Sequence, residues 1–292
     1  MKHGEQTQEV MNINLNNGTS MPAVGIGTFL MQPDEAEAAV RTALQSGYRL
    51  VDTANAYLNE KAVGRAIRTS GRDRGDIFLS TKLWPSVYGA ADKAIDETLE
   101  RLGTDYIDLL FLHQPVGDYM GAYQAMERAV KAGKVRSLGL SNFPVEKIDE
   151  ILAQAAVPPA VLQAEAHPYY PEQDLKRHMA KYDAVLMAWY PLGHGDARLV
   201  QEPVFTELAA KYGKSNAQII LRWHVQSGHI VIPGSKNPDH IRANRDIFDF
   251  RLTRSDMARI ARLAEQGRPY YVPSAATLEG YLRFSPDFAA QK

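Results

Sequence analysis

Short runs of β-branched and aliphatic residues alternate along most of the chain with longer stretches of helical period, and no other feature narrows the fold as much. Strands are expected at 23–27, 48–52, 77–81, 106–112, 135–140, 161–165, 185–189 and 229–232. Helices are expected near 34–46, 59–70, 89–102, 119–132, 144–155, 171–182, 203–227 and 237–246. Repeated strand-then-helix units imply a parallel sheet, because each helical crossover returns the chain to the same end of the sheet. No Pro/Gly/Ser-rich linker splits the chain and no G-x-G-x-x-G follows a strand, which disfavours an open doubly wound sheet. The expected fold is therefore a closed (β/α)8 TIM barrel, a single domain over 1–292. A small hairpin signal around Asn17-Gly18, with Ile13 to Leu15 before it and Met21 after it, precedes the first unit. Residues 1–11 read as a flexible start. A further helix near 253–265 and an irregular tail over 266–292 follow, the tail rich in aromatics and expected near the barrel mouth.

Charge excludes some partners. Lys and Arg number 33 against 34 Asp and Glu, a net charge of −1, so the balance recommends neither nucleic acid nor an anionic membrane. The absence of cysteine removes disulfides, thiolate metal sites and a cysteine nucleophile, and no metal is expected. The N-terminal segment lacks the apolar core of a signal peptide, and no segment approaches the roughly 20 apolar residues of a membrane helix. A cytoplasmic monomer is the expectation.

In such a barrel the active site is built at the C-terminal ends of the strands. The second strand ends at Asp52, with Tyr57 five residues on; the third runs into Lys82; the fourth runs into His113. Adjacent strands lie about 5 Å apart, so Asp52 and Lys82 can pair and Tyr57 can reach over both. A free phenol, with a pKa near 10, is a poor proton donor or acceptor at neutral pH. A lysine held charged by a carboxylate would favour the phenolate, and His113 could donate a hydrogen bond to a substrate oxygen. The group suits proton transfer to a carbonyl oxygen as it becomes an alcohol. Singly, each residue also reads as a cap, as packing or as a solvated amine; together, at three successive strand ends, they point to chemistry.

The resemblance to a known family rests on ordered motifs spanning about residues 13–265. They are G-I-G-T-F at 25–29, D-T-A-N-A-Y-x-N-E at 52–60, S-T-K-L-W at 80–84, His113-x-Pro115, G-L-S-N-F at 139–143, L-Q-A-E-A-H-P at 162–168, A-W-Y-P-L-G at 188–193, and I-P-G-S-x-N-P at 232–238 with Asn244. In order and spacing the chain resembles the aldo-keto reductase superfamily, in its bacterial, diketogluconate-reductase-like branch. The resemblance implies a (β/α)8 barrel that reduces an aldehyde or ketone with NADPH, NADH being possible as well. It maps the catalytic set onto Asp52, Tyr57, Lys82 and His113, with Tyr57 as general acid. It implies that Ser141, Asn142 and Gln163 hold the nicotinamide carboxamide and that Trp189 stacks on the ring. Leu192, Ser235, Lys236, His240 and Asn244 complete the implied cofactor contacts. Amide and hydroxyl groups can satisfy both ends of a carboxamide, and an indole offers a broad apolar face.

The chain also departs from the family pattern. Where many NADPH-using members carry a lysine after I-P and an arginine further on, this chain has Gly234 and His240, while Lys236 and Arg242 bring charge to other positions. A modest NADPH advantage over NADH, or dual use, is expected. Gln114 and Phe29 stand where tryptophan is common, and Tyr190 replaces a common serine. Phe29, Trp84 and Gln114 are the candidate substrate contacts. Two other readings are kept. One is a cofactor-sensing regulatory subunit with a reductase-like barrel; the other is a Schiff-base aldolase using Lys82, against which the neighbouring Asp52 argues.

Overall fold

The computed structural model of the chain describes residues 11–291. Strands β1 (Asn12–Asn14) and β2 (Ser20–Pro22) pair antiparallel, with Ile13 opposite Met21. This is the expected hairpin. Of the expected flexible start, residues 1–10 lie outside the described residues, and the Met11 carbonyl accepts the Ala23 N–H at 2.9 Å.

The main sheet holds β3 (Gly25–Gly27), β4 (Leu50–Asp52), β5 (Phe78–Leu83), β6 (Ile107–Leu112), β7 (Val135–Ser141), β8 (Val161–Glu165), β9 (Val185–Trp189) and β10 (Ile230–Val231). They lie side by side in sequence order, every neighbouring pair parallel. A parallel bridge between Val24 and Val231 brings the first strand to the last and closes the (β/α)8 barrel. Every residue of β5 and β6 is buried. Strands covered on both faces read as continuous apolar runs rather than as alternation, which is the pattern seen in I-D-L-L-F-L.

Inside the barrel Leu50, Phe78, Leu109, Phe111, Val161, Met187 and Ile230 form one cluster with Leu15 and Met21 of the hairpin. The hairpin therefore plugs the end where the strands begin. Its loop is fastened there: Asn16 Nδ2 donates to the carbonyls of Pro159 and Tyr182, and Asn17 Nδ2 to the Arg136 carbonyl and Ser137 Oγ. Phe111 fills the interior so closely that a Cβ at Gly139 would lie 2.4 Å from its ring, so only glycine fits there.

Around the barrel run α1 (Pro33–Gln45), α2 (Glu60–Arg68), α3 (Ala91–Leu102), α4 (Tyr119–Lys131), α5 (Val145–Leu152), α6 (Gln173–Ala180), α7 (Ala197–Val200), α8 (Pro203–Tyr212), α9 (Asn216–Gln226), α10 (Pro238–Arg245) and α11 (Arg254–Ala261). The single helix expected over 203–227 is two. Gly213 ends α8 in the left-handed region, and Ser215 opens α9 by exchanging capping hydrogen bonds with Gln218. A shared hydrophobic period concealed the break. Within the tail, α12 (Ala275–Arg283) interrupts otherwise irregular chain. Among the described residues no helix is long and apolar enough to cross a membrane.

Two buried imidazoles behind the barrel make stability sensitive to acid. His224 Nε2 donates to the Pro191 carbonyl at 3.0 Å, so its Nδ1 is left to accept from His229 Nδ1, 3.1 Å away. Burial, then the neighbouring His229, holds His224 well below the usual histidine range; burial, then Lys176, depresses His229 to about 3. Both are neutral in the fold and titrate near 6.5 in the unfolded chain. Their contribution is complete above about pH 6.5 and is lost as pH falls below it, because only the unfolded chain then gains protons. At pH 5 His229 should cost about 2 kcal/mol, at 1.36 kcal/mol per unit, and His224 acts in the same direction. Chemical denaturation at pH 7 and pH 5 measures this, and His229→Asn should remove the His229 share. Equal stability at the two pH values would contradict the assignment.

Candidate active site

The C-terminal rim of the barrel opens into a cleft of about 860 Å³. Asp52 ends β4 opposite Ser80 of β5, and Lys82 lies two residues further along β5. This register lets Lys82 Nζ donate to Asp52 Oδ2 at 2.6 Å and to the Thr53 carbonyl at 2.8 Å. Ser80 Oγ donates to the other carboxylate oxygen at 2.7 Å, and Gln163 Nε2 reaches the same atom at 3.3 Å. Lys82 is fully buried and does not line the cleft. A nucleophilic amine has to meet its substrate, so the aldolase reading loses its nucleophile.

Tyr57 ends a tight turn, Asn55–Tyr57, that leaves β4. Lys82 Nζ lies 5.0 Å from the centre of its ring, and His113 meets that ring edge-on at 5.7 Å. His113 follows β6, its N–H donating to the Leu83 carbonyl, and Trp84 packs edge-on to it at 4.9 Å. His113 Nδ1 is buried without a hydrogen-bond partner among the described residues.

The electrostatics correct one expectation. The Tyr57 phenol is raised well above its usual range, first by burial, then by Asp52 and Tyr190. The expected lowering by Lys82 does not prevail because burial disfavours the charged phenolate and the Asp52 carboxylate adds to the rise. Tyr57 is a neutral phenol at physiological pH. Burial, then Lys82, lowers His113, which is a neutral imidazole. Burial also lowers Lys82, against the pull of Asp52.

Along the cleft from Tyr57, Ser141 ends β7 with Asn142 next to it, Gln163 rises from β8, and Trp189 closes β9. Asn142 adopts a left-handed φ of 62° and accepts the Trp189 Nε1–H at 2.9 Å. Leu192, Ser235 and Lys236 continue the wall, with Gly234 beside them. Lys236 Nζ pairs with Glu35 at 2.7 Å. His240 and Asn244 do not line the cleft: His240 is exposed on α10, and Asn244 is buried on the same helix. Arg242 pairs with Asp239. Of the substrate candidates, Phe29, Trp84 and Gln114 all line the cleft.

Several lining residues carried no individual signal in the sequence. Beside Tyr190, which the sequence did single out, Leu30, His194, Tyr271, Tyr281 and Phe284 all join the wall. The aromatic richness of the tail hinted at the last three; nothing local marked which rings turn inward. Asn59 was read only as part of a motif, yet it is fully buried and ties two loops together. Its Nδ2 donates to the carbonyls of Thr28 and Met31, and its Oδ1 accepts from Thr53 Oγ1.

The model of the Aldo/keto reductase family matches residues 18–265. The chain belongs to the aldo/keto reductase family. An aldo-keto reductase of Mycolicibacterium smegmatis is 44% identical over 256 residues, covering 86% of this chain and 92% of that protein. Morphine 6-dehydrogenase of Pseudomonas putida is 42% identical over 267 residues, 86% of this chain and 90% of that protein. The crystal structure of a Bombyx mori aldo-keto reductase in complex with NADP superposes with a TM-score of 0.83 at 33% identity, covering 89% of this chain and 94% of that one. The general chemistry of an aldo/keto reductase is carbonyl reduction with a nicotinamide cofactor.

Proposed function

We propose that this aldo/keto reductase reduces a small-molecule aldehyde or ketone to an alcohol, with Tyr57 as the general acid. The observation that carries this reading is the Lys82–Asp52 pair at 2.6 Å beneath a neutral Tyr57 phenol and a neutral His113.

The residues fit a nicotinamide dinucleotide. The cleft runs from Tyr57 past Ser141, Asn142, Gln163 and Trp189 to Ser235 and Lys236, and the unpartnered His113 Nδ1 marks polar capacity left for a ligand. Ser141, Asn142 and Gln163 would hold the carboxamide, and Trp189 would cover one ring face. When bound there, the cofactor supplies a hydride to the carbonyl carbon. The chain supplies the rest. His113 and the Tyr57 hydroxyl hold the carbonyl oxygen, and the Tyr57 proton moves to that oxygen as negative charge develops. Lys82 stabilises the phenolate left behind, and Asp52 keeps Lys82 in place. A panel of aldehydes and ketones followed by nicotinamide absorbance tests the reading. Cofactor binding without turnover of any member would support the regulatory-subunit reading instead.

Dual cofactor use follows from the adenosine end. Gly234 offers no side chain to a 2′-phosphate, and a Cβ there would be a tight 3.1 Å from the Gly27 carbonyl oxygen. Lys236 is held by Glu35 and Arg242 by Asp239, which offsets the charge each offers a 2′-phosphate. We expect a modest NADPH advantage that shrinks with salt. Lys236→Ala should lower the kcat/KM ratio of NADPH to NADH by about three- to tenfold, and Glu35→Gln should raise it by a similar factor. A preference above about a thousandfold, or about 4 kcal/mol, that survives Lys236→Ala would sink this expectation.

A further inference from the structure

Glu165, the last residue of β8, is buried and has no place in the cleft wall. Its carboxylate is occupied by the tail. Oε1 accepts the Tyr270 N–H at 2.6 Å and Oε2 accepts the Tyr271 N–H at 2.7 Å, while His167 Nε2 lies 2.8 Å from Oε1. Two consecutive backbone N–H groups on one carboxylate make a charge-assisted capture. Such partners are what a buried charge requires, and packing alone would be served better by an apolar residue of the same volume. The neighbours brace the same point: the Tyr270 ring packs 4.8 Å from His167, and its hydroxyl donates to Asp196 at 2.7 Å.

What Glu165 captures is the start of a segment that supplies part of the cleft wall, Tyr271 packing edge-on to Trp189 at 5.5 Å. From there the Tyr271 hydroxyl reaches Gln114 Oε1 at 3.3 Å and the Tyr281 hydroxyl at 3.1 Å. Trp84 Nε1 donates to the carbonyls of Tyr281 and Phe284 at 3.1 and 2.9 Å. Tyr271, Tyr281 and Phe284 thus face the cleft beside Trp84 and Gln114. Among the described residues Lys236, paired with Glu35, is the only lysine or arginine in the cleft wall, so this aromatic end offers no cation to an anionic substrate.

We propose that Glu165 is a positioning residue for substrate: its carboxylate anchors the tail at Tyr270 and Tyr271 and so builds the wall on which a large, neutral, apolar carbonyl compound packs. The proposal rests on reading the cleft as the carbonyl-reducing site. Glu165→Gln keeps the shape but turns an amide donor toward one of the two N–H groups, breaking half of the capture. Hydrogen exchange on the full chain should then lose about tenfold or more protection over 270–284, with the barrel strands unchanged. KM for a bulky aromatic ketone should rise about tenfold, while KM for a small aliphatic aldehyde, kcat and cofactor Kd stay within about twofold. Because β8 could suffer from a change at Glu165, the same measurements are made on Tyr271→Pro against Tyr271→Ala, which both lose the phenol ring and lie outside the barrel, while only proline removes the N–H and fixes φ. The proline variant should reproduce the Glu165→Gln losses beyond those of the alanine variant. Retained protection over 270–284 in both Glu165→Gln and Tyr271→Pro, or KM values that rise equally for large and small carbonyls, would overturn the proposal. If wild-type protein reduces no carbonyl, the catalytic reading fails on that assay alone, and hydrogen exchange still decides the anchor.

Discussion

Tyr57→Phe should lower kcat for carbonyl reduction by about 10²–10⁴-fold, the usual contribution of general acid catalysis, and leave cofactor Kd within about twofold. The substitution removes one hydroxyl. The ring keeps its contacts with Phe29 at 5.1 Å and with His113 at 5.7 Å, so the cleft keeps its shape. No hydrogen bond among the described residues uses that hydroxyl, so its removal strands no buried partner and should leave stability unchanged. The loss therefore reports on chemistry. Single-turnover kinetics with saturating cofactor measures it, and more than about half of the wild-type rate where chemistry limits turnover would remove Tyr57 from the mechanism.

Lys82→Met should cost nearly as much activity, and it should also destabilise the fold. The ammonium is the main counter-charge of Asp52, which is 2% exposed. Removing one partner of a buried pair leaves an uncompensated charge, typically at about 3–5 kcal/mol. Neutralising both partners, as in Asp52→Asn with Lys82→Met, should restore most of that stability, because no bare charge remains and Ser80 and Gln163 still address the position 52 side chain. Activity should not return with it. Chemical denaturation and turnover measured on the same three proteins separate the roles. Tyr57→Phe combined with Lys82→Met should be hardly slower than either alone, since the groups act as one unit. Activity recovered by the double charge deletion, or losses that multiply, would make Lys82 a structural residue.

The barrel and the gathering of Asp52, Tyr57, Lys82 and His113 at one rim are legible because both are written locally. A strand buried on two faces must be apolar throughout, and a helix facing a barrel must carry its period, so each unit announces itself within about 30 residues. Asp52, Lys82 and His113 sit at strand ends, and parallel register converts that linear position directly into proximity. The boundary at Gly213 was missed for the converse reason: hydrophobic period is a property of a face, and it carried across two helices whose capping signals were local and weaker.

Chain order alone sets the succession of the eight units, the rim at which the cleft opens and the residue types available there. The protonation state of Tyr57 is a tertiary property, because burial and then the nearby Asp52 carboxylate raise the phenol, and neither is a property of a residue or its neighbours in the chain. Only the tertiary structure put Lys236 against Glu35 and left His240 outside the cleft, since long flexible side chains on a helix start have no direction until their surroundings supply one. The tail is the plainest case. Its path over the mouth depends on a carboxylate 105 residues earlier, and a contact that distant leaves no periodicity, spacing or composition by which a sequence could declare it.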